Sequence, residues 1–500
     1  MIKILQNKRN FEYDIYSLVK AFYPKEEVTT IISEDNRLLE ADSNMIISVT
    51  YEPMSVIICI LGENNKKVSN KENINLENTV EAKNILKHLL YGLMSEFTGS
   101  ELPWGTLTGI RPTKIPVALL EQGKTEEEVR SYMKDTYLAT DSKIELSIDI
   151  AKREIEVLKD VDYKNGYSIY IGIPFCPTTC LYCSFTSYPI SKWVNRVDEY
   201  LDALCKEIDF TADAFQGKIL NTLYIGGGTP TTLTAQQLDR LLTKLEDVFD
   251  YSNLKELTVE AGRPDSVTLE KFQVLKAHNV SRISINPQTM NQRTLDLIGR
   301  KHTVEQIRSA YTMARDIGFD NINMDLIVGL PDEDIDAVKY TMEEIVKLNP
   351  DSVTVHSLAI KRAARLNIFK ELYEKMSFTN NNEIFQLTAD YIKKMDANPY
   401  YLYRQKNMAG NLENVGYARK GKEGIYNILI MEEKQTIIAL GAGASTKIVF
   451  PDGFRIERIE NVKDVDNYIE RIEEMIQRKR SFIESNLVTI HTVAESKVTE

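Results

Sequence analysis

The chain has 500 residues, 43% of them hydrophobic and 27% charged, with a net charge of −12 and five cysteines. That length can bury a large core across two or three domains, and the acidic balance argues against the basic face a nucleic-acid binder needs. No secretory leader opens the sequence and no apolar run reaches bilayer-spanning length, so a cytoplasmic protein with no membrane span and with reduced thiols is expected.

The first 160 residues read as an α+β domain. Residues 45–50 and 55–60 are short β-rich runs, and a polar loop is expected over 63–78. Thr125 with Glu128 forms the S/T-x-x-E box that opens a helix, and an amphipathic stretch over 143–158 closes the region. Cys59 sits in an apolar run and reads as buried filler. Cys205, on a helical pattern, reads as structural.

From about residue 165 the pattern changes. Apolar runs at 168–173, 222–225, 257–260, 280–285, 321–328 and 352–358 alternate with helical periods such as 194–215, 235–248, 305–317 and 334–348. Six strand–helix units in succession predict parallel strands joined by right-handed crossovers. Six falls short of the eight in a closed barrel, so an α/β, partial (β/α)6 barrel is expected over 161–365, with a mixed, substrate-covering region over 366–500. In such folds chemistry gathers beyond the carboxyl ends of the strands, which tests each motif by its position.

Cys176, Cys180 and Cys183 directly follow the first run. An iron–sulfur cube takes one thiolate per iron, so three cysteines leave one iron open to a small molecule; a zinc site is the alternative. Gly226-Gly227-Gly228-Thr229-Pro230-Thr231 follows the second run, where glycines let backbone approach a ligand or simply make a tight turn. Glu260 ends the third run, a costly place for a carboxylate unless ribose hydroxyls or a salt bridge meet it. Gln288 ends the fourth, Arg300 lies twelve residues on, and Asp325 interrupts the fifth. Lys361, Arg362 and Arg365 after the sixth run, with Arg404 and Lys406, would form either a solvated helix face or a wall for a substrate with several carboxylates. Gly441-Ala-Gly443 lacks the third glycine and acidic partner of a dinucleotide fingerprint, so no nicotinamide site is expected.

Taken together, Tyr170-Ile-Gly-Ile-Pro-Phe-Cys176, the cysteine loop, Gly-Gly-Gly-Thr-Pro-Thr, Val259-Glu-Ala261, Arg282-Ile-Ser-Ile-Asn-Pro-Gln288, Leu297-Ile-Gly-Arg-Lys-His302 and Asp325-Leu-Ile-Val-Gly-Leu-Pro331 resemble the radical S-adenosylmethionine (SAM) family of oxygen-independent coproporphyrinogen III oxidases and their relatives. The stretches Pro103-Trp-Gly-Thr-Leu-Thr-Gly-Ile-Arg-Pro-Thr-Lys114 and Ala359-Ile-Lys-Arg-Ala363 look like its coproporphyrinogen dehydrogenase HemZ subgroup. The resemblance implies that Cys176, Cys180 and Cys183 hold a [4Fe-4S] cluster and that Tyr170, Gly227 and Glu260 contact the SAM bound on it. It matches Tyr182, Gly228, Thr229, Gln288, Arg300, Asp325 and Ala359 to the positions around a second SAM.

The implied activity is oxidative decarboxylation of coproporphyrinogen III to protoporphyrinogen IX in haem biosynthesis, fed by a one-electron donor such as flavodoxin or ferredoxin. Lys361, Arg362 and Arg404 are candidates for the carboxylates of this tetrapyrrole. Two positions depart from the oxidase proper: Phe185 stands where it has a fourth cysteine, and Gly172 where it has a histidine. Phe185 resembles the haem-chaperone branch, so a haem-binding chaperone is the rival expectation, with His356 as the best axial ligand; tetrapyrrole radical methylation uses the same machinery.

Overall fold

The structure, a computed structural model, describes all residues except 25, 34–43, 64–65, 110, 360–380, 406–411, 451–454 and 492–500, and only the backbone of 486–491. Lys361, Arg362, Arg365 and Lys406 lie outside the described residues. The chain divides into two compact units, Met1–Lys152 with Tyr403–Glu413, and Arg153–Leu402 with Asn414–Glu500.

The first unit is built on β1 (Ile2–Gln6), β2 (Val28–Ile32), β3 (Met45–Tyr51), β4 (Ser55–Gly62) and β5 (Lys67–Asn73), in the order β2-β1-β3-β4-β5. Burial alternates along β3, with Met45, Ile47, Val49 and Tyr51 inward, the period of a sheet covered on one face. Ile15, Leu18 and Val19 of the helix Glu12–Phe22, and Leu86, Leu90 and Met94 of the helix Thr79–Thr98, complete that core.

Two expectations are corrected here. The polar stretch 63–78 contains β5, an edge strand paired antiparallel with β4; its mostly exposed side chains explain why no apolar run announced it. Cys59 is only half-buried, because Val56, Ile58 and Ile60 take the covered face of β4 and leave Cys59 on the other. The Thr125–Glu128 capping box forms as expected at the start of the helix Glu126–Tyr137. Trp104 is buried and donates its indole N–H to Glu413 Oε2 at 2.9 Å, while Lys143 pairs with the other oxygen of that carboxylate.

The second unit carries β6 (Gly166–Ile173), β7 (Phe175–Cys176), β8 (Tyr188–Pro189), β9 (Ile219–Gly227), β10 (Glu256–Glu260), β11 (Arg282–Ser284), β12 (Ile322–Val328), β13 (Ser352–Ser357), β14 (Asn398–Tyr403), β15 (Asn414–Ala418), β16 (Thr436–Leu440), β17 (Ser445–Val449) and β18 (Ile456–Glu460). Its main sheet runs β14-β15-β13-β12-β11-β10-β9-β6-β16-β17-β18. The six expected strands lie side by side in chain order, and each adjacent pair is parallel. They are buried almost throughout, as strands covered on both faces must be.

Strands from the carboxyl-terminal region extend the same sheet, β15 antiparallel beside β13 and β16 parallel beside β6. Gly441 follows β16 with φ 102°, and a Cβ there would stand 2.5 Å from Gly172 O; this glycine serves close packing against the end of β6. Glu207, buried on the helix Val197–Ala214, ties in the late segments by accepting from Gly441 N–H, Asn461 Nδ2, Tyr468 Oη and Lys479 Nζ.

Candidate functional site

The cysteine loop leaves the end of β6 and is bracketed by β7 and β8, which pair in parallel. The three thiols are half-buried. Burial pushes the Cys176 thiol up, and that of Cys183 up to about 11, the neighbouring cysteines adding to the effect. Among the described residues no three His, Cys, Asp or Glu side chains converge tightly enough to share a single metal ion. A four-iron cube asks for something different, one thiolate at each of three corners.

The glycine turn after β9 packs directly on this loop. Gly228 N–H donates to Ile173 O at 2.7 Å and Thr229 N–H to Phe175 O at 2.7 Å. A Cβ on Gly228 would lie 2.5 Å from Phe175 O, so only glycine permits this approach. Gly227 has φ 109°, reserved in practice for glycine, and faces the Tyr170 hydroxyl. Thr229 Oγ1 lies 3.5 Å from Cys176 Sγ.

Glu260 ends β10 and accepts from Tyr224 Oη at 2.6 Å. Its carboxyl is pushed up to about 7, by burial first and then by the charge of Asp325; the Tyr224 hydroxyl and the Gly227 N–H pull the other way. Tyr170, Tyr224 and Tyr426 stack beside it, with ring centroids 6.2 Å apart for the first pair and 4.5 Å for the second.

Gln288 is held in the left-handed region at φ 70°, where a non-glycine residue is strained. Ladder bonds pin it: its N–H donates to Asp325 O and its carbonyl accepts from Ile327 N–H, each at 2.9 Å. Its Oε1 is buried with no partner among the described residues. Arg300 is likewise buried; it donates to Tyr182 Oη at 3.0 Å and to the carbonyls of Gly262 and Asn286 at 2.8 and 2.9 Å, leaving Nε unmatched. Asp325 accepts from Asn323 Nδ2 at 2.8 Å and lies 3.8 Å from His356 Nε2. Burial pushes its carboxyl up, but His356 and Asn323 outweigh that and hold it below its ordinary value. Ala359 follows β13 in the chain.

The structure thus links Tyr170 with Gly227, Gly227 with Glu260, Thr229 with Cys176, Tyr182 with Arg300 and Gln288 with Asp325. His356, expected as an axial ligand if haem binds, has its Nε2 3.8 Å from Asp325 Oδ2. Arg404 belongs to the first unit, where it is buried rather than on a solvated face and donates to Leu107 O at 2.6 Å. Sequence reasoning missed Tyr224, Tyr426, Arg263 and a polar layer inside the sheet running from Arg282 through Ser352 and Asn323 to Asp325. For Tyr224 and the polar layer the signal was present as polar residues within apolar runs; Arg263 and Tyr426 lie outside those runs.

The fold and this strand-end site define a class. A family model described as the radical SAM superfamily matches residues 170–345. One relative is the oxygen-independent coproporphyrinogen-III oxidase-like protein HemZ of Bacillus subtilis (strain 168), 42% identical over 408 residues, 81% of this chain and 81% of that protein. The heme chaperone HemW of the same organism is 32% identical over 61% of this chain and 76% of its own. Among solved structures, coproporphyrinogen III oxidase (HemN) from Escherichia coli has the same fold, with a TM-score of 0.52 at 23% identity, covering 67% of this chain and 77% of that one. The chain belongs to the radical SAM family of oxygen-independent coproporphyrinogen III oxidases and their HemZ and HemW relatives. Membership implies a [4Fe-4S] cluster and SAM. Among the described residues, no helix is long and apolar enough to cross a membrane.

Proposed function

We propose that the chain is an enzyme that oxidatively decarboxylates two propionates of coproporphyrinogen III to vinyl groups, giving protoporphyrinogen IX. The observation that carries this is the 42% identity to the HemZ oxidase-like protein, which extends over 81% of the chain and so well beyond the superfamily segment.

The residues present fit the cofactors. Three thiols share one loop, a glycine cradle lies against it, and Gln288 Oε1 and Arg300 Nε are buried polar atoms without partners among the described residues, which a bound ligand would satisfy. In this reading Cys176, Cys180 and Cys183 bind the cluster, and Tyr170, Gly227 and Glu260 contact SAM. Tyr182, Gly228, Thr229, Gln288, Arg300, Asp325 and Ala359 would meet a second SAM. When bound, the cluster and SAM supply one-electron cleavage of a sulfonium bond and a radical able to take a hydrogen atom.

The chain's own residues orient and shield. The carboxylate of Glu260 would accept ribose hydroxyls, and the stacked tyrosines beside it would shield that side of the site. Gln288 and Arg300, each fixed by backbone partners, present preset polar atoms to the ligand. Each propionate would lose a hydrogen atom, an electron and carbon dioxide, so an acceptor as well as a one-electron donor such as flavodoxin or ferredoxin is required. The cytoplasm, with its reduced thiols, suits such a site.

Anaerobic incubation with reductant, SAM and coproporphyrinogen III, followed by mass spectrometry, tests the proposal. Formation of 5′-deoxyadenosine with loss of carbon dioxide is expected; cluster-loaded protein that forms neither would overturn it. A second reading, haem chaperone, is favoured by Phe185, which is 71% exposed where the oxidase proper has a fourth cysteine, and by the HemW relatives. Tight one-to-one haem binding without turnover would select it. A methylated tetrapyrrole product would instead point to radical methyl transfer.

A further inference from the structure

Arg263 follows Gly262 in the loop after β10 and is 3% exposed. Its Nε and Nη2 form a two-point ion pair with Asp265, at 2.9 and 2.7 Å. That grip aims Nη1 at the cysteine loop, where it donates to Thr178 Oγ1 at 3.1 Å and lies 3.7 Å from Cys180 Sγ. Burial pushes the Asp265 carboxyl up, but Arg263 outweighs it and holds the group below its ordinary value, so the pair is charged on both sides. Behind it His302 is fully buried, 3.8 Å from Asp265, and burial with the charges of Arg300 and Arg263 lowers its pKa to about 3. The histidine is therefore neutral and leaves the charge of the ion pair unaltered.

The arrangement is a fixed dipole whose positive end touches a cysteine sulfur. Adding one electron to a thiolate-ligated cluster makes it more negative. A cation held nearby in a poorly polarisable interior favours the reduced form, and hydrogen bonds to ligand sulfur act in the same sense. A carboxylate behind the cation opposes it.

We propose that the Arg263–Asp265 pair sets the reduction potential of the cluster held by Cys176, Cys180 and Cys183, Arg263 raising it and Asp265 restraining the rise. The inference rests on the cluster reading above. The electron enters from the one-electron donor; no bond to Arg263 or Asp265 forms or breaks.

The test is an EPR-monitored redox titration of full-length, anaerobically reconstituted protein, with iron content and cluster absorption measured on each sample. Arg263→Met should move the midpoint to more negative potential, by about tenfold in the ratio of reduced to oxidised cluster, or about 59 mV for one electron. Arg263→Lys, which keeps the charge, should recover more than half of that shift. Asp265→Asn should move the midpoint the opposite way. A pair that only braces the loop would shift both variants in one direction or in neither, and either result in loaded protein overturns the proposal while leaving the cluster reading intact. If Arg263→Met fails to hold iron, the signs in Arg263→Lys and Asp265→Asn decide. Wild-type protein that binds no cluster overturns the reading beneath it, and this inference with it.

Discussion

The two sheets differ most in where they keep polar side chains. In the five-stranded sheet of the first unit, the buried polar residues on the strands are Gln6 and Ser55, both at strand ends. The main sheet of the second unit buries Ser168, Thr222, Thr258, Asn323 and Thr354 within its parallel strands, and Glu256, Arg282 and Ser352 at their amino ends. Burying such groups costs free energy unless each finds a partner. A sheet selected only for stability would resemble the first; the second carries a hydrogen-bonded polar layer that runs from Arg282 through Ser352 and Asn323 to Asp325. Polarity inside a parallel sheet is therefore a signal that stands beside the strand-end motifs and has to be explained by its partners.

The comparison breaks most sharply at the cysteines. Replacing Cys176, Cys180 or Cys183 by Ala should abolish cluster absorption and SAM cleavage while leaving the circular dichroism of the fold unchanged; retained iron at wild-type stoichiometry would contradict the assignment. In the first unit the largest effect should come from Lys143→Met. It strands the charge of Glu413, whose side chain is 1% exposed, and should cost about 3–5 kcal/mol in denaturant unfolding.

Glu260→Gln sharpens the contrast, because it should improve the fold while harming the site. A carboxyl whose pKa is raised to about 7 binds a proton in the folded state that the unfolded chain, near 4.5, has already released. Its unfavourable contribution is therefore absent below about pH 4.5, grows as pH rises, and is complete above about 7. At pH 8 the variant should be more stable by about 3 kcal/mol, with little difference at pH 4, and SAM affinity by calorimetry should fall at least tenfold. Smallest of all, Gly92→Ala in the helix Thr79–Thr98 meets open space and should stabilise by about 0.5–1 kcal/mol, read as a raised unfolding midpoint.

The barrel strands were legible because each is a local apolar run, and β6 and β9 to β13 lie where those runs predict. β16 was not, since nothing local in Thr436–Leu440 says that it will pair with a strand some 270 residues earlier. β5 escaped because an edge strand has little apolar surface to bury. At the site, Glu260, Gln288 and Asp325 could be picked out as polar residues at or within apolar runs. Arg263 could not, because its meaning lies in a contact with Cys180 made across 83 residues of sequence.

The parallel pairing of Tyr170 in β6 with Ala439 in β16 also has a consequence for biogenesis. While the polypeptide is being made, the strand that leads into the three cysteines can zip up against β9 on one flank only. Its other flank waits until β16 has been made, some 250 residues after the last of the three cysteines. Iron delivery should therefore follow synthesis of β16, and a chain arrested before residue 436 should emerge unmetallated.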